Sequence, residues 1–380
     1  MVMYRNARQD RATHSKAANS AKDIQLDVRD TTILKGLAIS AIVLHNFFHA
    51  VSPAGENEFK FHPGSFAVFL GTVRHPLLAV QAVFSFFGYL GVPVFIFLSA
   101  YGLSKSHWDD GDSWHQFMAG RIRKLFPVTA LVILPWMLGN VLQTGVQPFL
   151  HTVVPQIAFM LSGLSPLVPG LGLPPVGPWW FIPFILEFYA VFFVLRRLTK
   201  EFGWPGLVVL AILGMAVTTV AAPQLAHWKI NLYETPLGRL PSLCLGIAAA
   251  RYSFRVTGPV VIVAGAVVVL GNEYQVLWPF TFTAASILAL WAYMELRDSL
   301  RESRSLERIG EYSILIFLLN GIVRDDFLRF ATTPLLQLLF GAMSAAASFA
   351  IAAMVQECLL KPLSSAAEPS ESVAESAVQA

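Results

Sequence analysis

The segment ILKGLAISAIVLHNFFHAV, from Ile33, holds four side chains that an apolar helix has little use for: Lys35, His45, Asn46 and His49. At about 100° per residue, Asn46 falls about 20° from Lys35 around the helix axis, His49 about 40° and His45 about 80°. The four share one arc, which predicts a face turned into a helical bundle. Ionisable groups at membrane depth are costly and mark a pathway or a site. A histidine in a polar cavity has an ordinary pKa near neutral and suits the taking or giving of a proton. His45 is the candidate base and His49, one turn on, the runner-up. Simple packing is the competing reading, with both histidines bonded to carbonyls of neighbouring helices or His49 to interfacial water.

Four further groups add to this chemistry. Arg121 and Lys124 share a face at the start of an apolar run with Arg123 beside them, cations that suit a phosphate-bearing ligand. The same cations are also what a cytoplasmic loop carries whatever its function. Glu187 and Arg239 each stand isolated in apolar sequence. Glu187 is read as orienting a histidine or as pairing with Arg239, the pairing being the simpler role because a buried charge needs a partner. Trp179 and Trp180 are expected as interfacial anchors or as platforms for a sugar ring. The loop GENEFKFHPG, from Gly55, offers Glu56, Asn57, Glu58 and His62 directly after the histidine-bearing helix, suited to sugar hydroxyls or to solvation alone.

The surroundings of these residues are those of a membrane protein. Hydrophobic residues make up 55% of the chain, charged residues 13%, and mean hydropathy is +0.58, far from a soluble balance. An all-α polytopic bundle of about ten transmembrane helices is expected, since apolar stretches near bilayer length recur along the chain. They are placed at 32–51, 83–103, 125–144, 178–196, 205–222, 236–251, 256–271, 277–296, 309–330 and 335–360. The run 149–168 is expected to be re-entrant or extracytoplasmic, because a crossing there would put Arg196, Arg197 and Lys200 outside. Both termini are then cytoplasmic: a basic tail over 1–31, a membrane domain over 32–360, and a disordered Ser, Ala and Glu tail over 361–380. The outer loops 52–82 and 145–177 are expected to cap a cavity. A net charge of +3 argues against a nucleic-acid face. Cys244 and Cys358 lie in apolar segments and imply neither a disulfide framework nor a metal site.

The first helix, with its Leu-Lys-Gly-Leu-Ala opening and a histidine about three turns on, resembles that of the acyltransferase-3 family of integral membrane O-acyltransferases. GYLGVPVFIFLSAYGLSKS, from Gly88, RIRKLFP, from Arg121, and PWWFIPFILEFY, from Pro178, resemble three further family segments. GRLPSLCLGI, from Gly238, and LERIGEYSILIFLLNG, from Leu306, are weaker matches in the same order. The chain departs from the family pattern in span 1, where Asn46 occupies the place expected for the histidine, and in Asn320, where many members carry a histidine. The resemblance implies a cytoplasmic N-terminus, ten spans, acyl-CoA as donor with acetyl-CoA the first choice, and a hydroxyl of a surface polysaccharide or its lipid-linked precursor as acceptor. Lys35, Arg121, Arg123 and Lys124 would then serve the donor, His45, Asn46, His49 and Glu187 the chemistry, and Glu58, Trp180, Arg239 and Asn320 the acceptor. The expected location is the cytoplasmic (inner) cell membrane, with the lipid bilayer as partner. A transporter or flippase is the alternative, although only the stretch with Gly88, Gly91 and Pro93 approaches a broken helix. A glycan polymerase is disfavoured by the apolar character of 145–177.

Overall fold

A computed structural model describes residues 22–53, 55–171 and 174–362. The tails expected over 1–31 and 361–380 lie largely outside the described residues. Helix α1 spans Val28–Phe48, starting before the expected boundary because Asp27 and Asp30 form a reciprocal capping box. Just before it, β1 (Lys22–Asp23) pairs antiparallel with β2 (Arg255–Val256), so this stretch is fastened to the far half of the chain. After α1 come α2 (Ser65–Thr72), α3 (Pro76–Phe87) and α4 (Gly91–Ser106), with a single 3-10 turn joining the last two. Helix α5 (Trp114–Thr144) begins on a Ser113/Gln116 capping box.

The run expected to be re-entrant forms irregular helical turns ending in α6 (Val154–Ser162), packed against α5 and α7. Helix α7 (Phe181–Ala226) contains two of the expected spans and breaks at Gly203, whose φ of 66° only glycine adopts without strain. The rest comprises α8 (Leu240–Arg251), α9 (Gly258–Glu273), α10 (Thr281–Arg301), α11 (Arg304–Glu311), α12 (Ser313–Leu328) and α13 (Pro334–Val355).

Five stretches are long and apolar enough to cross a membrane: Val28–Phe48, Pro76–Ser106, Trp114–Thr144, Gly177–Ala226 and Pro334–Leu360. Helices also cover the other expected spans, but α8 and α9 are short and α10 ends in charged residues. Helix α1 lies at the centre, against α3, α4, α10, α11, α12 and α13. Its crossing with α11 is close because Gly36 and Gly310 face each other's backbone, where a Cβ would collide. At its first turn, Asp30 is fully buried and accepts hydrogen bonds from Tyr293, Arg297 and Arg301 of α10. This network fixes the rotation of α1 and with it the direction of His45. The outward faces of α5, α7 and α9 carry exposed Leu134, Leu138, Leu142, Val220 and Ile262, an apolar girdle suited to lipid.

Candidate active site

His45 is 4% exposed, at the meeting of α1, the turn after α3 and the returning loop 55–64. Gly88 makes this approach possible, since a Cβ there would lie 2.7 Å from that of His45. His45 Nδ1 lies 3.1 Å from the Phe84 carbonyl, a group that only accepts, so Nδ1 carries the proton and donates it. That fixes the tautomer and leaves Nε2 unprotonated. Nε2 points to Glu58 Oε2 at 4.0 Å, too long for a direct hydrogen bond but able to admit one oxygen bonded to both. Mutual approach of base and carboxylate around a hydroxyl is the geometry proton abstraction needs.

Glu58 reaches this position because the loop after α1 folds inward. Asn57, fully buried, receives a hydrogen bond from the His62 amide and donates one to Asn272 of α9, while the Asn57 carbonyl accepts from Trp278. Solvation alone does not account for this loop, because Asn57 and Glu58 are buried. Burial pushes the Glu58 carboxyl up to about 8 against the pull of Arg239, with Glu56 and Glu234 adding to the rise. Burial also raises Glu56, but the hydrogen bond from His49 and the nearness of His45 outweigh it and hold that carboxyl below its ordinary value. His49 is thus half-exposed and paired with Glu56 at the rim, not in the site's interior.

Arg239, 1% exposed, closes the other side of Glu58. It donates to the carbonyls of Tyr233 and Glu58, and its guanidinium lies 3.8 Å from the centre of the Phe282 ring. No ion pair joins Arg239 to Glu187 among the described residues, so the expected pairing is not formed. Glu187 has Glu234 as its charged neighbour instead. Arg239 Nη1, the Tyr89 hydroxyl, Glu58 Oε1, Glu187 Oε1 and Glu234 Oε2 are all buried without a hydrogen-bond partner among the described residues. Such groups are expensive, and their concentration around His45, Glu58 and Arg239 marks a place for a polar ligand. Tyr89 was missed in the sequence, although a tyrosine between two glycines in an otherwise apolar run was a usable signal.

Asn46 turns away from His45. Its amide donates to Asn320 Oδ1 at 2.7 Å, and Asn320 is anchored to the carbonyls of Ile316 and Phe317. The arc expected to hold four polar groups is therefore divided: His45 faces the outer loop and Asn46 faces α12. Below the asparagine pair lies a cavity of about 300 Å³, lined by Lys35 and Ile42 of α1, Phe317 of α12 and Tyr189 of α7. Its upper end at Ile42 is one turn below His45. Arg121 lies beside Tyr189, 6.0 Å from the ring, and packs on Phe117 and His107. Lys35 and Arg121 are thus near one cavity, whereas Arg123 and Lys124 are on the exposed surface.

Neither tryptophan is exposed as an interfacial anchor would be. Trp179 is fully buried and donates to the Leu318 carbonyl, and Trp180 packs edge-on against Phe59 at 4.9 Å. Trp180 therefore supports the loop that carries Glu58.

No curated protein and no solved structure matches this chain. A family model described as an acyltransferase domain matches residues 29–354, from the first turn of α1 to the end of α13. The chain belongs to the acyltransferase-3 family and is an acyltransferase carried on apolar, membrane-type helices.

Proposed function

We propose that the protein is an O-acyltransferase of the cytoplasmic (inner) cell membrane, with about ten spans and both termini cytoplasmic. It moves an acyl group, acetyl as the first choice, from acyl-CoA to a hydroxyl of a surface glycan or its lipid-linked precursor. The observation that carries this reading is His45, its Nδ1 held by the Phe84 carbonyl and its Nε2 facing Glu58 across 4.0 Å.

In the proposed reaction the acceptor hydroxyl lies between Nε2 and Glu58. Its proton passes to Nε2 as its oxygen bonds to the thioester carbonyl carbon. Arg239 Nη1 and the Tyr89 hydroxyl, neither with a hydrogen-bond partner among the described residues, supply hydrogen bonds to the negative oxygen that develops. The carbon–sulfur bond then breaks, and His45 returns its proton to the leaving thiolate. The cavity with Lys35 suits the donor's pantetheine arm, with Arg121, Arg123 and Lys124 available to its phosphates. Asn46 and Asn320, bonded to each other, stand about one turn beyond the Ile42 and Phe317 that line that cavity, and Glu187 has Glu234 as its charged neighbour.

The reading gives no role to a metal ion. The trio His45, His49 and Glu56 brings ligand atoms within 4.8 Å of one another, but His49 and Glu56 bond to each other and His45 Nε2 is reserved for the acceptor. Incubation of the purified protein with labelled acetyl-CoA and a panel of envelope glycans is the test. Label appearing in a glycan ester supports the proposal, and label appearing in none refutes it.

A further inference from the structure

A second cavity, of about 430 Å³, lies on the other side of the loop that carries Glu58. Its volume is within the range of small-molecule sites. Phe61, Tyr233 and Trp278 give it aromatic walls, and Tyr233 and Trp278 stand 4.4 Å apart. Aromatic faces of this kind stack on the apolar faces of sugar rings. Two cations, Lys60 and Lys229, line the same space, no carboxylate does, and neither lysine forms an ion pair among the described residues. Lys229 is also the only non-glycine among the described residues with positive φ, 57°. A lysine held in that conformation is kept there by its surroundings, and such strain gathers at ligand sites.

The cavity is coupled to the candidate base through two short connections. Asn231, on its wall, donates to the Phe59 carbonyl, next to Glu58. The Tyr233 carbonyl accepts from Arg239, whose own second contact is the Glu58 carbonyl. A ligand here would bear on the loop that positions Glu58 against His45.

We propose that this cavity is a subsite for a negatively charged sugar unit of the acceptor, a suggestion that rests on the acyl-transfer reading above. The aromatic walls take the ring and the two lysines take a carboxylate or phosphate on it. The acceptor is on this view an acidic glycan or a sugar phosphate, and the unit bound is a neighbour of the one whose hydroxyl is acylated.

The test is equilibrium binding to the purified full-length protein of trigalacturonate, of galactose 1-phosphate and of neutral galactotriose. Charged sugars should bind more tightly than galactotriose, with an affinity that falls as salt is raised. Lys60→Gln combined with Lys229→Gln should weaken the charged ligands by about tenfold and leave galactotriose unchanged. Preference for trigalacturonate would assign the charge to a uronate, and preference for galactose 1-phosphate to a phosphate linkage; either supports the subsite. In acyl transfer the double variant should raise KM for a charged acceptor at unchanged kcat. Equal binding of charged and neutral sugars, no binding at all, or an unaffected double variant would overturn the subsite while leaving acyl transfer intact. Charge-dependent binding in a wild-type protein that transfers acetyl to no sugar would instead overturn the acyl-transfer reading.

Discussion

Glu58 gives the outer half of the site a measurable titration. Its carboxyl, ordinarily at 4.5, is pushed up to about 8 by burial, so the folded protein binds that proton more tightly than the unfolded chain does. The associated stability is fully present below the ordinary value and is lost as pH rises through about 8. Glu58→Gln should therefore flatten the fall in Tm between about pH 5 and pH 9. The wild type and the variant, compared by thermal unfolding in the same detergent, provide the measurement, and parallel curves would show that Glu58 is not buried as described. Glu234, raised to about 7 by burial, titrates over the same range and is coupled to Glu58, so the comparison is repeated in a Glu234→Gln background. His45 could be singled out from sequence because a histidine in an apolar run is conspicuous. Its partners could not, since the Phe84 carbonyl is present in any sequence and Glu58 approaches only after a loop has folded inward.

Helix α5 carries the donor prediction at the scale of elements. Its N-terminal half brings Arg121 beside Tyr189, on the wall of the cavity that also holds Lys35, while Lys124 stays exposed. Arg121→Gln combined with Lys124→Gln should weaken acyl-CoA binding by about tenfold or more, because a charged hydrogen bond to phosphate is worth about 1.5–3 kcal/mol. Calorimetric titration of the folded variant with acetyl-CoA decides it, and unchanged affinity would leave these residues as ordinary cytoplasmic charge. Helix positions were largely legible, because apolar runs bounded by Pro, Gly and charges are local signals. The division of the polar arc on α1 was not: helical spacing gives the angle between Asn46 and His45 but not which neighbour each will meet. Asn320 and the Glu58 loop, which settle that, are supplied by distant parts of the chain. The Gly203 break within α7 was legible only as a gap between two apolar stretches.

For the molecule as a whole, the proposal needs a donor entering on one side of the membrane and an acceptor on the other, with His45 between them. The proposed orientation rests on the basic loops and predicts that a reporter fused after Thr199 reads as cytoplasmic and one fused after Pro169 as external. The opposite pair of signals would invert the arrangement and put the Lys35 cavity on the wrong side for a cytoplasmic thioester. The short helices α8 and α9 and the charged end of α10 blur the span pattern, yet α8 places Arg239 at its N-terminal edge and α10 holds Asp30 of α1. Polar residues that serve a site or fix a crossing are what reduce a helix's hydropathy, so the functional end of the bundle is also the hardest to read as membrane. In the proposed reaction His45 removes the acceptor's proton. Turnover of labelled acetyl-CoA into glycan ester by wild type, His45→Ala and His49→Ala, at equal amounts of folded protein, tests it most directly. His45→Ala should lose about 10²–10⁴-fold in rate while His49→Ala keeps most of its activity, whereas near-normal turnover by His45→Ala would contradict the mechanism.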